Sequence, residues 1–109
     1  MADTYTWNLY VEGATVATLD LSKSYLPANI PANTDVQLVI YVVNSGSKDG
    51  IIYYKLVQNP GAGEQIIGSA SKEAAAGQEI AFTTTINFPV GEYILGIKVW
   101  GEDETEPSW

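Results

Sequence analysis

The dominant pattern along this chain is an alternation of hydrophobic and polar positions with a period of two, which is typical of half-buried β-strands. Residues 78–88 show it clearly, because apolar side chains and Thr84 occupy every second position. Seven such segments occur, separated by turn residues: 4–11, 14–21, 35–43, 51–57, 65–71, 78–88 and 92–100. No stretch keeps the period of an amphipathic helix. The sequence therefore predicts an all-β protein with seven strands.

The first two segments predict a β-hairpin. Residues 4–11 place one alternating set on one face, namely Tyr5, Trp7, Leu9 and Val11. Glu12-Gly13 then supplies a two-residue turn, since glycine adopts the positive φ that such turns require. Residues 14–21 return as the second strand of the hairpin.

The remaining turn signals predict how the strands are connected. Pro27 and Pro31 interrupt residues 22–33, which we interpret as a surface connection between sheets. Residues 44–50 have turn composition, and residues 74–77 are too short for a stable helix, so both are predicted loops. This spacing of strands and turns favours an antiparallel β-sandwich. We assign residues 1–101 to the sandwich domain and residues 102–109 to an acidic C-terminal tail.

Composition excludes several function classes. The 109 residues correspond to one domain, with five lysines, thirteen acidic residues, a net charge of −8, and neither cysteine nor histidine. Disulfides, thiolate metal sites and Cys–His or Ser–His nucleophile pairs are therefore excluded. The absence of arginine and the negative charge argue against nucleic acid as a partner. We expect no metal and no cofactor.

No apolar run approaches the roughly 20 residues that a membrane-spanning helix needs. We therefore expect no membrane insertion. No signal peptide is visible at the start of the chain. The expected location is extracellular or surface-associated if a leader has been removed, and otherwise virion or cytoplasmic.

The acidic side chains do not form a recognisable catalytic pair. Asp20, Glu79 and Glu92 lie at predicted strand ends or on outer faces, without a signal that they converge. We therefore predict that the protein is not an enzyme.

The acidic tail contains four of the thirteen acidic residues: Glu102, Asp103, Glu104 and Glu106. It is either a hard-cation site, a docking segment for a basic partner, or a solvated terminus. No Asp-x-Asp-x-Asp-Gly spacing supports the cation site. Trp109 is unusual in a solvated tail, and we expect it to fold back or to anchor in a neighbour.

Residues 34–100 resemble an immunoglobulin-like adhesion module, the CARDB-like group of bacterial and archaeal surface proteins. The resemblance is carried by Val42-Val43-Asn44-Ser45-Gly46, by Ala76-Gly77-Gln78 before an Ile/Phe/Thr strand, and by Pro89-Val90-Gly91-Glu92-Tyr93 before the last strand. It implies a non-catalytic spacer or interaction domain. The predicted fold is thus a seven-stranded antiparallel β-sandwich with immunoglobulin-like topology. The pronounced N-terminal hairpin also fits a small structural protein of a virus.

An immunoglobulin-like connectivity places residues 51–57 and 92–100 in one sheet. The outer face of that sheet then carries apolar side chains around Lys55 and Lys98. These interaction candidates are Ile51, Tyr53, Val57, Ile94 and Trp100. An exposed apolar patch of this kind marks an interface. Either the face packs on another copy or a protein partner, or residues 22–33 or the acidic tail cover it.

Aromatic rings support a second hypothesis, a carbohydrate-binding module that stacks outward rings on sugars. By parity the outward rings are Tyr10, Tyr41, Tyr53 and Trp100, whereas Tyr5, Trp7, Tyr54 and Tyr93 lie on apolar faces and are predicted to pack in the core.

Overall fold

The computed structural model describes residues 2–5 and 13–109, and these residues form two antiparallel sheets. The strands are β1 (Ala17–Tyr25), β2 (Val36–Asn44), β3 (Gly50–Gln58), β4 (Gln65–Ala74), β5 (Glu79–Ile86) and β6 (Leu95–Gly101). The first sheet has the order β1-β2-β5 and the second has the order β4-β3-β6. The described residues contain no helix, so the all-β prediction is confirmed.

Six strands are present where the sequence predicts seven. The predicted strand 4–11 falls mostly on residues 6–12, which lie outside the described residues. Thr4 and Tyr5, at its start, are not in a strand. Tyr5 is 82% exposed and therefore does not pack in the core, contrary to the prediction.

Strand β1 spans Ala17–Tyr25 instead of the predicted residues 14–21, so the predicted connection 22–33 begins too early. An irregularity in pairing explains the error, because Asp20 pairs with Tyr41 while Tyr25 already pairs with Val39. The Asp20 carboxylate accepts hydrogen bonds from the backbone N–H and the hydroxyl of Ser22, at 3.1 and 2.6 Å. Polar side chains thus organise a bulge that does not follow simple alternation.

The last strand spans Leu95–Gly101 instead of the predicted residues 92–100. Tyr93, predicted to face the core, precedes the strand and is 36% exposed. Its ring stacks on Phe88 at 4.4 Å, and its hydroxyl donates to the carbonyl oxygen of Pro89 at 3.0 Å. The turn that begins at Pro89 therefore extends further than its composition indicates.

The core lies between the inward faces of β2 and β3, the central strands of the two sheets. It comprises Leu38, Ile40, Val42, Ile52, Tyr54, Leu56, Ala74, Phe82 and Ile86. The ring of Tyr54 stacks on Phe82 of the opposite sheet, with centroids 4.9 Å apart. Its hydroxyl lies 2.7 Å from the Thr84 hydroxyl, which satisfies the polar end of this buried ring.

Asn44 is a fully buried polar side chain at the end of β2. Its Nδ2 group donates to the carbonyl oxygens of Lys48 at 2.9 Å and Ala74 at 3.0 Å. Its Oδ1 atom accepts from the backbone N–H groups of Gly46 at 3.1 Å and Val16 at 3.4 Å. One amide thereby joins the chain before β1, the β2–β3 connection and the end of β4.

We expect Asn44→Leu to lower the free energy of unfolding by about 2–4 kcal/mol, because it leaves buried backbone groups without partners. Urea denaturation would measure the effect. Asn87→Ala is the matched control: Asn87 is exposed and its Nδ2 bonds only to Asp35 among the described residues, so its loss should cost no more than about 1 kcal/mol. Equal losses in the two variants would contradict this role for Asn44.

Candidate functional site

The outer face of the second sheet is built by the pairing of β3 with β6. Tyr53 lies opposite Trp100, and Lys55 lies opposite Lys98. Directly opposite residues project to the same side of a sheet, so these four side chains share one face. The rings of Tyr53 and Trp100 stack with centroids 5.5 Å apart and planes inclined by 21°. The predicted sharing of one sheet by residues 51–57 and the last strand is confirmed.

The five interaction candidates differ in accessibility. Ile51, Tyr53 and Trp100 are half-buried, and Val57 is fully buried. Ile94 is 69% exposed and immediately precedes β6. The backbone N–H of Asn59 donates to the Ile94 carbonyl at 2.9 Å, which places Ile94 at the end of the same face.

The acidic tail lies on this face. Lys55 and Lys98 stand directly opposite each other, an arrangement of like charges that destabilises a sheet. The Glu106 carboxylate offsets this repulsion, because its Oε1 atom lies 2.9 Å from Lys55 Nζ and its Oε2 atom lies 4.0 Å from Lys98 Nζ. The hydrogen bond from Lys55 holds the pKa of Glu106 below its ordinary value. Lys98 Nζ also donates to the Pro107 carbonyl at 2.9 Å.

Trp109 fixes the end of the tail. Its indole N–H donates to the Glu64 carboxylate at 3.1 Å, and Lys98 Nζ lies 4.6 Å from the centre of its ring. The ring lies against Gly96, where a Cβ atom would approach Trp109 Cζ3 to 2.7 Å. Gly96 pairs with Val57, so the indole ring lies close to the buried candidate. A residue without a side chain is therefore required where the tail crosses β6.

The first three acidic residues of the tail accept hydrogen bonds from backbone N–H groups. Glu102 accepts from Ile51 at 3.1 Å, and Asp103 accepts from Thr15 at 3.0 Å. Glu104 Oε1 accepts from both Ala17 at 2.8 Å and Gly101 at 3.0 Å. The bond from the Thr15 N–H lowers the pKa of Asp103. These carboxylates satisfy donors at one end of the sandwich, so this part of the tail is integrated into the structure.

The sequence left open whether a partner, residues 22–33 or the acidic tail lies on the outer face of β3 and β6. In the structure the acidic tail lies there. Residues 22–33 instead complete β1 and then connect to the first sheet, where the Asn33 N–H donates to the Phe88 carbonyl at 2.8 Å. Sequence reasoning missed Glu64 and Gly96 as docking positions. The sequence did contain a signal for this docking. The tail is rich in carboxylates and ends in Trp109, and the predicted outer face carries two lysines of opposite charge to the tail.

Carboxylates also line an open depression of about 660 Å³, formed in part by Asp49, Glu73 and Glu102. Asp49 accepts a hydrogen bond from the Ala76 N–H at 2.8 Å, and Glu102 accepts from Ile51 as described above. Two of the three carboxylates thus hold the backbone. Within residues 2–5 and 13–109, no group of three or more acidic residues is arranged to hold a metal ion.

The other acidic residues singled out in the sequence have separate surroundings. Asp20 organises the β1 bulge, Glu79 forms an ion pair with Lys23 at 3.0 Å, and Glu92 is exposed in the connection before β6. No helix in the described part of the chain is long and apolar enough to cross a bilayer. No protein-family model matches the chain, and no curated protein matches it.

We expect Glu106→Gln to destabilise the protein at neutral pH, because it leaves Lys55 and Lys98 opposed without a counter-charge. The pKa of Glu106 is lowered from 4.5, so its stabilisation is present above that pH and is lost as the pH falls through the folded-state pKa. Urea denaturation across the acid range should show the difference between wild type and variant shrinking to zero.

Glu92→Gln is the control for the same titration, since Glu92 is an exposed carboxylate that no described residue pairs with. Its stability should follow the wild type at every pH. A difference between wild type and Glu106→Gln that persists unchanged at low pH would contradict the ion-pair account.

Proposed function

We propose that this protein is a non-enzymatic β-sandwich module of immunoglobulin-like topology that assembles with further copies through its sheet edges. It would serve as a surface adhesion or assembly module, or as a virion component. The observation that supports this proposal is the edge of β6: this strand pairs with β3 on one side, and no described strand pairs with its other side.

The strand order supports the immunoglobulin-like assignment. The orders β1-β2-β5 and β4-β3-β6 match an A-B-E sheet packed on a C′-C-F sheet. In immunoglobulin-type sandwiches a further strand lies beside the strand at the β6 position. The edge of β6 is thus the place where this architecture accommodates another strand. The resemblance to CARDB-like modules agrees with such an arrangement and remains a prediction.

An unpaired strand edge favours association because it presents a row of backbone N–H and C=O groups to any extended segment. The outer face of the second sheet is less suited to this role, since Glu106, Pro107 and Trp109 already contact it. We therefore assign association to the edge and not to the face that the sequence favoured.

Sedimentation velocity over about 1–100 µM tests this assignment, and we expect the average mass to rise with concentration. Trp109→Ala separates edge from face, because it removes the tail anchor and leaves β6 unchanged. Association of unchanged strength in Trp109→Ala supports the edge, whereas stronger association in the variant would indicate the face that the tail no longer covers. A wild-type protein that stays monomeric throughout would overturn the proposed assembly.

A second candidate function rests on a separate observation, the stacked rings of Tyr53 and Trp100. They border a shallow depression of about 360 Å³ that Ser69, Ser71 and Glu106 also line. Flat rings beside hydroxyl and carboxylate groups suit a sugar, whose apolar face stacks and whose hydroxyls form hydrogen bonds.

If this face binds carbohydrate, polysaccharide affinity electrophoresis should show retention that Tyr53→Ala and Trp100→Ala abolish. Tyr41→Ala is the matched control, because Tyr41 is a half-buried tyrosine on β2 in the other sheet. No retention of the wild type on a panel of polysaccharides would refute this candidate.

A further inference from the structure

The outer face of the second sheet leaves one side of the Tyr53 ring open. In the strand order β4-β3-β6, Tyr53 has Trp100 of β6 and Ser71 of β4 as its two cross-strand neighbours. The Trp100 ring stacks on one side of the Tyr53 ring, with centroids 5.5 Å apart. The other side of the ring therefore faces β4, where the neighbour is a small and exposed serine. A flat ligand can stack on this side without displacing an aromatic side chain.

The acidic tail borders this space and does not fill it. Its contacts on the outer face lie at the next two outward-facing pairs of β3 and β6. At the first of these pairs Glu106 binds Lys55, and at the second Trp109 lies against Gly96. Glu106 thereby lines the depression of about 360 Å³ beside Tyr53. This volume is at the small end of the range for ligand pockets, about 300–1,000 Å³, and suits a short segment of a ligand chain.

The depression carries hydrogen-bonding groups with spare capacity. Ser69 and Ser71 are exposed on β4, and their hydroxyls form no hydrogen bond within residues 2–5 and 13–109. Ser69 lies opposite Lys55, whose ammonium group has three donors and directs one of them to Glu106. The Glu106 carboxylate has about four acceptor sites, so it also retains free ones. Donors and acceptors thus surround the open side of a flat ring, as the recognition of a sugar requires.

The charges around the depression cancel. Lys55 and Lys98 face Glu106, which lies between them, and Glu73, which is exposed one outward position beyond Ser71 on β4. The hydrogen bond from Lys55 lowers the pKa of Glu106, so this carboxylate is ionised at neutral pH. The whole chain carries a net charge of −8. A carboxylated or sulfated glycan would therefore meet repulsion without a compensating positive site, whereas an uncharged glycan would not.

We propose that this depression binds an uncharged glycan, with one sugar ring stacked on the β4 side of the Tyr53 ring. The sugar hydroxyls bond to Ser69, to Ser71 and to the ion pair of Lys55 with Glu106. This inference rests on the carbohydrate-binding candidate and names its ligand class. It also gives the tail a second role, because Glu106 becomes a ligand-binding residue that accepts from sugar hydroxyls and repels anionic glycans.

Polysaccharides that share a backbone and differ in charge test the ligand class. Hydroxyethylcellulose with carboxymethylcellulose, and dextran with dextran sulfate, are two such pairs. Biolayer interferometry measures binding to each immobilised polymer in about 0.1 M salt, where charges more than about 10 Å apart are largely screened. We expect the wild type to bind the neutral member of a pair about tenfold or more tightly than the charged member. Equal or tighter binding to the charged member would overturn the proposal.

Glu106→Gln tests the contribution of the tail. The variant should bind the neutral polymer about threefold or more weakly, and its preference over the charged polymer should fall about fivefold or more, because two lysines lose their counter-charge. Glu92→Gln is the matched control, since it removes the same charge from the exposed connection before β6 and should bind as the wild type does. Urea denaturation at the assay pH checks that both variants are folded. An unchanged preference in Glu106→Gln would overturn the role of Glu106.

Ser71→Leu tests the position of the sugar ring. The larger side chain occupies the open side of Tyr53 and should weaken binding about tenfold or more, while the contacts of the tail remain. Thr85→Leu is the matched control, because Thr85 is exposed on β5, an edge strand of the other sheet. If the wild type binds and Ser71→Leu binds equally well, this inference fails and the carbohydrate-binding candidate stands. If the wild type binds no polysaccharide, that candidate itself fails.

Discussion

The packing of β2 against β3 is the constraint on which the rest of this structure depends. These are the central strands of the two sheets, and their inward side chains are the most completely enclosed in the described chain. Tyr54 extends this packing across the sandwich to Phe82 and Thr84 of β5. The side chains of the outer strands are buried by packing against this central pair, so their exposed fraction increases towards the sheet edges. Among residues 13–109, β6 pairs with a strand only on its β3 side.

Several carboxylates of this protein accept hydrogen bonds from backbone N–H groups. A net charge of −8 would ordinarily be read as a solvated surface. Here Glu102, Asp103 and Glu104 instead accept hydrogen bonds from backbone N–H groups at one end of the sandwich. Anionic acceptors form stronger hydrogen bonds than neutral ones, which suits strand ends that lack ladder partners. Asn44 performs the same task with a neutral amide where the site is buried and a charge would be costly.

The alternation of hydrophobic and polar residues correctly predicted the strands that bury one face and pair regularly with their neighbours. β2 and β5 agree with their predicted segments to within two residues at each end, because Val36–Asn44 and Glu79–Ile86 pair without a break. The predicted strand bounds were wrong where side-chain hydrogen bonds take the place of backbone hydrogen bonds between strands. The Asp20 bulge extends β1 through a polar stretch, and the interaction of Tyr93 with Pro89 delays the start of β6. Both depend on contacts within a particular three-dimensional turn, which a period of two does not encode.

Tyr53, Trp100, Lys55 and Lys98 share one face of the second sheet, yet the sequence left open what lies on it. That answer depends on long-range geometry: Gly96 must align with Val57, and Lys55 must align with Lys98, before the tail has a place to dock. Glu106, Pro107 and Trp109 then contact Lys55, Lys98 and Gly96 of this face. The edge of β6 has no comparable cover among the described residues, and its inward side chains remain partly accessible. In a small sandwich whose tail lies on one outer face, a remaining open edge is a liability unless another strand fills it. For this reason we propose that copies assemble through the edge and not through the face.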